Sequence, residues 1–288
     1  MNEVIVNIIG SAQDAGVPHP NCFCKNCVKA IEEDKFRRFA SSLAIVLPES
    51  KEWHLIDATP DIRGQMTTIQ MKYQLQKQLM KSIWLTHAHI GHYPGLMFLG
   101  REAIGAKGTP VYCGGKMKHL LENHAPWKQL VDLENINPIE ITHEETTELT
   151  PTVRITPVEV PHRNEFSETF GFWIEGPNRK LLYIPDIDRW DEWNRDIYEM
   201  AKEADICLLD GTFSSIEEIE RMGRNYKEIP HPVMTETMDR LQELVGETAI
   251  YFTHFNHTNP FLDLENPFIK QVKDRGFHIA ADGMEISL

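Results

Sequence analysis

The stretch "WLTHAHIGHYPGL", residues 84–96, places His87, His89 and His92 within six positions directly behind an apolar run. Imidazole is the commonest protein ligand for zinc and also suits iron, copper and nickel. An H-x-H spacing on extended backbone turns both rings to one side, because alternate residues share a face. His92 stands just before Pro94, a residue suited to a helix's first turn, so His92 projects from the start of that helix. Read alone, the run wins only modestly over solvated loop histidines or a helix-capping cluster. Three other strand-like runs end in related chemistry: His162 follows "VEVP", Asp186 follows "LLYIP" and His254 follows "AIYFT". A single His or Asp in such a place is more often a cap or surface residue than a ligand. Four strand ends together select metal binding, because layered α/β folds form ligand sites where strands stop. Asp188 lies two residues along on the same face and competes with Asp186, which is preferred because it directly follows the strand.

A second constellation is "PNCFCKNC", with Cys22, Cys24 and Cys27 spaced C-x-C-x-x-C. Three thiolates this close suit structural zinc, which needs a fourth ligand for a closed tetrahedron. His257, three residues after His254, is preferred; His19, Cys113 and Cys207 are the alternatives. A reactive or incidental cysteine cluster is the bland reading.

The elements that must hold these residues are short strand-like runs alternating with helix-like segments. The runs are "VIVNII" (4–9), "SLAIVL" (42–47), "WHLID" (53–57), "SIWLT" (82–86), "PVYC" (110–113), "VRITPVEV" (153–160), "FGFWIE" (170–175), "KLLYIP" (180–185), "ICLLDG" (206–211) and "AIYFTHF" (249–255). Each is rich in branched and aromatic side chains. Helices are expected over 65–80, 94–105, 114–123, 190–204, 233–245 and 266–275, the last two stopping at Gly246 and Gly276. Strands occurring singly between helices and also in a consecutive series predict mixed sheets with outer helices. With no linker, low-complexity tract or repeat, residues 1–288 are expected to form a single α/β domain.

Of the 288 residues, 41% are apolar, enough for a sizeable core; 43 acidic against 29 basic residues give a net charge of −14. So negative a surface disfavours phosphate backbones, and "KFRR" at 35–38 is too short a basic patch to reverse that. No run approaches the roughly 20 apolar residues of a membrane span. The N-terminus reads as a first strand rather than a secretory signal, so the expectation is a cytoplasmic protein with its five cysteines reduced. The expected partner is a small-molecule substrate, with neither nucleic acid nor membrane, and the composition is compatible with a homodimer.

"THAHIGH", taken with His162, Asp186 and His254, resembles the metallo-β-lactamase superfamily motif H-x-H-x-D-H. Within it the chain is most similar to the pyrroloquinoline quinone biosynthesis protein B family. The stretches that carry this are "GSAQDAGVPHPNCFCKNC", "SSLAIV", "WHLIDATPDIRGQ", "GLMFLGRE", "CLLDGTF", "FNHTNPFLD" and "ADGMEISL", spread over residues 10–288. The phosphonate-pathway cyclic phosphodiesterases share the cysteine cluster, the T-H-x-x-H pair and the "DGMEI" ending. The resemblance implies an αββα four-layer sandwich of two mixed sheets with the active site on one edge. It assigns His87, His89 and His162 to one metal, His92 and His254 to a second, and Asp186 as the bridge. It implies structural zinc on Cys22, Cys24, Cys27 and His257. By analogy with the phosphodiesterases His231, in "EIPHPVMTETM", is a proton donor; the plain alternative is a residue that merely precedes a helix. Asp57 and Asp61, in "LIDATPDIR", are expected to support the ligands from behind.

The motif's own aspartate falls at Gly91. That removes one ligand of the second position, so on this reading the second ion is weakly held. The active-site metal is then zinc, manganese or iron, as one or two ions, and Gly91→Asp is expected to strengthen the second position; Gly91 could also simply relieve a tight turn. Three functions follow. The first is hydrolysis of a small ester or phosphodiester-like substrate by a metal-activated water. The second is an iron-dependent oxygen insertion into a tyrosine-derived precursor during quinone cofactor biosynthesis. The third is a non-catalytic binding or carrier protein on the same fold.

Overall fold

The computed structural model describes residues 3–263, 266 and 268–288. Its strands are β1 (Ile5–Gly10), β2 (Ser42–Leu47), β3 (Glu52–Ile56), β4 (Ile83–Trp84), β5 (Thr109–Cys113), β6 (Ile136–Glu140), β7 (Thr147–Thr150), β8 (Val153–Glu159), β9 (Phe170–Glu175), β10 (Lys180–Ile184), β11 (Ile206–Asp210), β12 (Ala249–Thr253), β13 (His278–Ile279) and β14 (Glu285–Ser287). They form two seven-stranded sheets, ordered β14-β1-β2-β3-β4-β5-β6 and β13-β12-β11-β10-β9-β8-β7. Both are mixed. The first is antiparallel from β14 to β3 and parallel from β3 to β6. The second is antiparallel from β7 to β10 and parallel from β10 to β13.

Alternation along each strand divides its side chains between two buried layers. In β2, Leu43, Ile45 and Leu47 meet the other sheet while Ala44 and Val46 face outward; in β10, Leu181 and Tyr183 point in and Leu182 and Ile184 out. Strands covered on both faces read as continuous apolar runs, which is why these segments stand out in the sequence. Ile45, Ile56, Trp84, Phe172 and Tyr183 are fully buried between the sheets. Truncating one of these aliphatic residues to Ala costs about 2–5 kcal/mol.

The first sheet's outer face is covered by α2 (Ile62–Lys72), α3 (Gly115–Asn123) and α4 (Trp127–Asp132). The second is covered by α1 (Lys25–Glu32), with α5 (Ile197–Lys202), α7 (Met234–Leu241) and α8 (Phe268–Asp274). A short α6 (Ile216–Arg221) packs with Phe213, Ile229 and Val233 beside the end of β11. Helix–sheet–sheet–helix layering is the α/β sandwich expected. Among the described residues, no helix is long and apolar enough to cross a membrane.

Several element boundaries differ from the sequence reading. The helix expected over 65–80 is Ile62–Lys72, because Gln74 and Lys77 adopt left-handed backbone that ends it. The 94–105 segment is helical only as a 3₁₀ turn over Pro94–Leu99. The 190–204 segment splits into a 3₁₀ turn and α5, whose start is capped by the Asp196 carboxylate accepting from the Tyr198 amide at 2.8 Å. The helix expected over 233–245 is α7 followed by a 3₁₀ turn at Gln242–Leu244. In the 266–275 segment the helix begins at Phe268, and residue 267 lies outside the described residues.

Candidate metal centre

The two sheets bring the ends of β3, β4, β8, β10, β11 and β12 to one edge. β4 runs out through Thr86 into His87, β8 into His162, β10 into Asp186 and β12 into His254. The chain turns sharply there. Asp57, just past β3, and His254 both hold left-handed backbone, φ 64° and 62°. Non-glycine residues in this region carry strain that the surroundings must maintain, and such residues cluster at functional sites.

Asp186 sits in the middle. Its Oδ1 lies 3.6 Å from His162 Nε2, and its Oδ2 lies 3.3 Å from His92 Nε2 and 3.2 Å from His254 Nε2. His87, His89 and His162 bring their donor atoms within 4.8 Å of one another on one side of it. On the other side His92 and His254 are joined by Asp14, whose Oδ1 is 3.6 Å from His92 Nε2. Four ligands about 2.0–2.1 Å from one ion stand roughly 3.3 Å apart, close to these separations. The Nε2 atoms of His87, His92 and His254 and the Oδ2 of Asp186 are buried with no hydrogen-bond partner. Buried polar atoms are almost always paired, so this converging set of lone pairs fits metal ions.

The opposite nitrogens of His87, His92 and His254 are hydrogen-bonded from behind. Asp57 Oδ2 is 2.8 Å from His92 Nδ1, and Thr86 Oγ1 is 3.0 Å from His87 Nδ1. Thr212 Oγ1 is 3.0 Å from His254 Nδ1, while Asp188 Oδ1 stands 3.0 Å from His162 Nδ1 as an ion-pair contact without hydrogen-bond geometry. Carboxylate or hydroxyl partners on the far nitrogen orient ligating histidines and fix their tautomer. Asp188, the competitor to Asp186, therefore stands behind a ligand rather than between the two groups.

Burial holds His254, His162 and His87 neutral, whereas at His92 burial is outweighed by Asp57, Asp14 and Asp186, which raise its pKa well above the usual histidine value. Burial pushes His254 down to about 3, His162 to about 4, and His87 well below the usual histidine value, the last with help from neighbouring rings. Neutral imidazole is the form that binds metal. Burial raises the pKa of Asp186, a carboxyl that needs cations beside it to ionise. His231 behaves oppositely: burial alone would lower it, but Asp210, 2.7 Å from Nδ1, and then Asp186 raise it.

The cysteines form a separate cluster. Cys22, Cys24 and Cys27 Sγ lie 3.3, 3.6 and 3.7 Å from His257 Nδ1. Zinc–sulfur and zinc–nitrogen bonds of about 2.3 and 2.0 Å put such atoms roughly 3.5 Å apart in a tetrahedron. Asn26 links α1 to the other side by donating to the carbonyls of His257 and Asn259 at 3.0 and 2.9 Å. His19 lies tilted against His257 with its ring centroid 4.4 Å away and gives only its backbone N–H to Cys27. Cys113 and Cys207 lie in the outer apolar layers, where burial raises both thiols, Cys113 to about 12. All five cysteines are free of disulfides.

One expectation is corrected. Asp61 does not back a ligand; its carboxylate accepts from the Ala40 amide at 2.9 Å and braces the loop before β2. Near His92 and His254 stands a carboxylate that the sequence reading did not place, Asp14, from the loop after β1. Asp14, Asp210, Thr86 and Thr212 were not singled out by the sequence reading. Asp14 carried a fainter form of the signal of the candidate ligands: an acid in the loop that follows β1, in "IIGSAQD".

A cleft of about 830 Å³ adjoins the centre, with Ile90, Tyr93, Trp127 and Phe166 as apolar lining and Lys116 and His119 as polar lining. A smaller one is lined by Asp14, His89 and Glu165 and shares Ile90 and Phe166 with it. His89 and Asp14 are the more exposed members of the centre, at 23% and 32% of their side chains. Access is therefore from their side.

Residues 52–255 match the family model described as the Beta-lactamase superfamily domain. The chain is 27% identical to coenzyme PQQ synthesis protein B of Nitrosococcus oceani, over 99% of this chain and all of that one. It is 29% identical to the protein of the same name from Pseudomonas entomophila, over 98% and 99% of the two chains. The crystal structure of zinc-bound PqqB from Methylobacterium extorquens superposes with a TM-score of 0.82 at 26% identity, over 99% of this chain and all of that one. A diphosphatase of the PhnP family superposes at 0.70 with 22% identity over 99% and 97%, a likeness of fold. With a strand–helix sandwich, a histidine-rich edge and a family match across most of its length, the chain belongs to the β-lactamase superfamily, in its metallo-β-lactamase α/β fold.

Proposed function

We propose that the chain is a metal-dependent hydrolase of a small ester or phosphodiester-like substrate. The observation that carries this reading is Asp186, with one oxygen toward His162 and the other between His92 and His254. A carboxylate so placed can bridge two ions, one held by His87, His89 and His162 and one by His92 and His254. When bound, such ions supply Lewis acidity and an activated water. The chain's own groups do the rest. Asp57, Thr86 and Thr212 hold the rings of His92, His87 and His254 in position, and Asp188 stands as a counter-charge beside His162. His231, whose protonation Asp210 favours from 2.7 Å, gives a proton to the leaving oxygen. The cleft beside His89 receives the substrate's apolar portion on Tyr93 and Trp127, whose rings are 4.9 Å apart.

The cysteine cluster belongs to this reading as a structural zinc site. So does a cytoplasmic setting, in which the thiols stay reduced.

A second reading is favoured by the full-length similarity to coenzyme PQQ synthesis protein B: an iron-dependent oxygen insertion in quinone cofactor biosynthesis. One experiment separates the two. Protein stripped of its active-site metal is reloaded with zinc, manganese or ferrous iron and assayed for bis(p-nitrophenyl) phosphate hydrolysis and for oxygen uptake with tyrosine-containing peptides. Turnover of the diester with zinc or manganese supports the hydrolase. Oxygen uptake confined to the iron form, without diester turnover, replaces it with the second reading.

A further inference from the structure

We propose that Asp14 is the carboxylate ligand of the second metal position, and that residue 91 is glycine because the loop carrying Asp14 rests on it. The proposal rests on the two-metal reading above and concerns where the second position obtains its charge.

The space at Gly91 is already taken. A Cβ built there would stand 2.2 Å from Asp14 Oδ1 and 2.5 Å from Asp14 Cα, distances no side chain can occupy. Gly91 is absent from the glycines with left-handed backbone, so it is not needed for a turn that other residues would strain to make. Its role is to leave room. The carboxylate occupying that room has its Oδ1 3.6 Å from His92 Nε2 and lies within reach of His254. Both Nε2 atoms are buried without a hydrogen-bond partner.

The loop that delivers Asp14 is fastened to the segment that delivers His254. The Phe255 amide donates to the Ser11 carbonyl at 2.8 Å, and the Gln13 amide donates to the Phe255 carbonyl at 2.9 Å. Asp14 and His254 are thus neighbours of one short backbone ladder, and their side chains enter the centre together. With Asp14 in place, two carboxylates, Asp14 and the shared Asp186, face an ion there beside two imidazoles. That restores the anionic charge that glycine at position 91 removes, from a different strand end.

The test is metal stoichiometry by elemental analysis with calorimetric titration of zinc, on the full chain loaded identically. Wild type should hold about three ions, one on the cysteines and two at the histidines. Asp14→Ala should lose about one, with second-ion affinity reduced more than about 100-fold, exceeding the usual effect of removing a partner behind a ligand. Retention of both histidine-site ions by Asp14→Ala overturns the proposal. Wild type holding only the cysteine-bound ion overturns it together with the two-metal reading, so the two failures are distinguishable. Gly91→Asp, which supplies the motif's own residue, should bind the second ion more weakly because its Cβ displaces the Asp14 loop. Tighter second-ion binding in that variant overturns the proposal. If either variant folds poorly, Asp14→Asn, which keeps the shape and removes the charge, should still weaken the second ion; undiminished affinity there overturns the proposal too.

Discussion

Asp57 Oδ2 lies 2.8 Å from Nδ1 of His92, with both side chains buried at the junction of β3 and the histidine loop. The same carboxylate accepts from the Thr86 amide at 2.8 Å and from the Thr86 hydroxyl. Three donors around one buried carboxylate lock the His92 ring with Nε2 turned toward Asp186 and Asp14. The left-handed backbone at Asp57 is thereby held by four contacts.

Asp57→Asn should reduce second-ion affinity by about 10–100-fold, the usual cost of losing a charged partner behind a ligating histidine. Calorimetric zinc titration reads this directly. Unchanged affinity would mean that Thr86 alone orients His92.

His231 tests the proton-donor role. His231→Gln should lower kcat by about 10²–10⁴ for an alkyl phosphodiester, whose leaving oxygen needs a proton. The loss should be slight with a nitrophenolate leaving group, which departs unprotonated. Metal content should not change. Loss of an ion from this variant would instead make His231 a ligand, a role its nearness to His162 and Asp186 leaves geometrically open.

Cys24→Ser should remove about one zinc equivalent and lower the melting temperature, because a closed zinc site contributes directly to folding. Cys113→Ser should leave zinc content untouched, since that thiol lies in an apolar layer. Equal zinc in wild type and Cys24→Ser would end the structural-site reading.

Much of the centre is legible because the strands that carry it are mostly buried, β10 on both faces, so most read as apolar runs with a polar residue where they stop, while β8 alternates buried and exposed side chains. His87, His162, Asp186 and His254 are found that way. The less regular edges are not. β6 contains Pro138, β7 is "TELT", and β13 and β14 span two and three residues, too short for any periodicity. α1 is hidden by the cysteines, since Cys27 lies within it and Cys24 at its N-cap position. Asp14 is the instructive omission. A motif locates the missing carboxylate at position 91, whereas the fold needs only a carboxylate at a point in space, and a loop 77 residues earlier in the sequence can place one there. Sequence distance conceals that exchange; the Cβ clash at Gly91 reveals it.

His54 gives a pH dependence outside the metal centre. It is buried in β3 with Nδ1 2.7 Å from Ser82 Oγ, and burial pushes it down to about 4. In the unfolded chain this imidazole takes up its proton near pH 6.5, while in the folded protein it refuses one until about pH 4. Between those values the unfolded state binds more protons, so stability falls as pH is lowered through that window and is unaffected by His54 above it. The contribution is on the order of 2–3 kcal/mol over the window, at up to 1.4 kcal/mol per pH unit. His54→Gln keeps a polar group for Ser82 and removes the titration. Urea unfolding of both proteins from pH 7 to pH 4, each held with saturating zinc until the site releases it, should give a shallower decline in the variant. Parallel stability curves would show that His54 takes its proton in the folded state as readily as in the unfolded one.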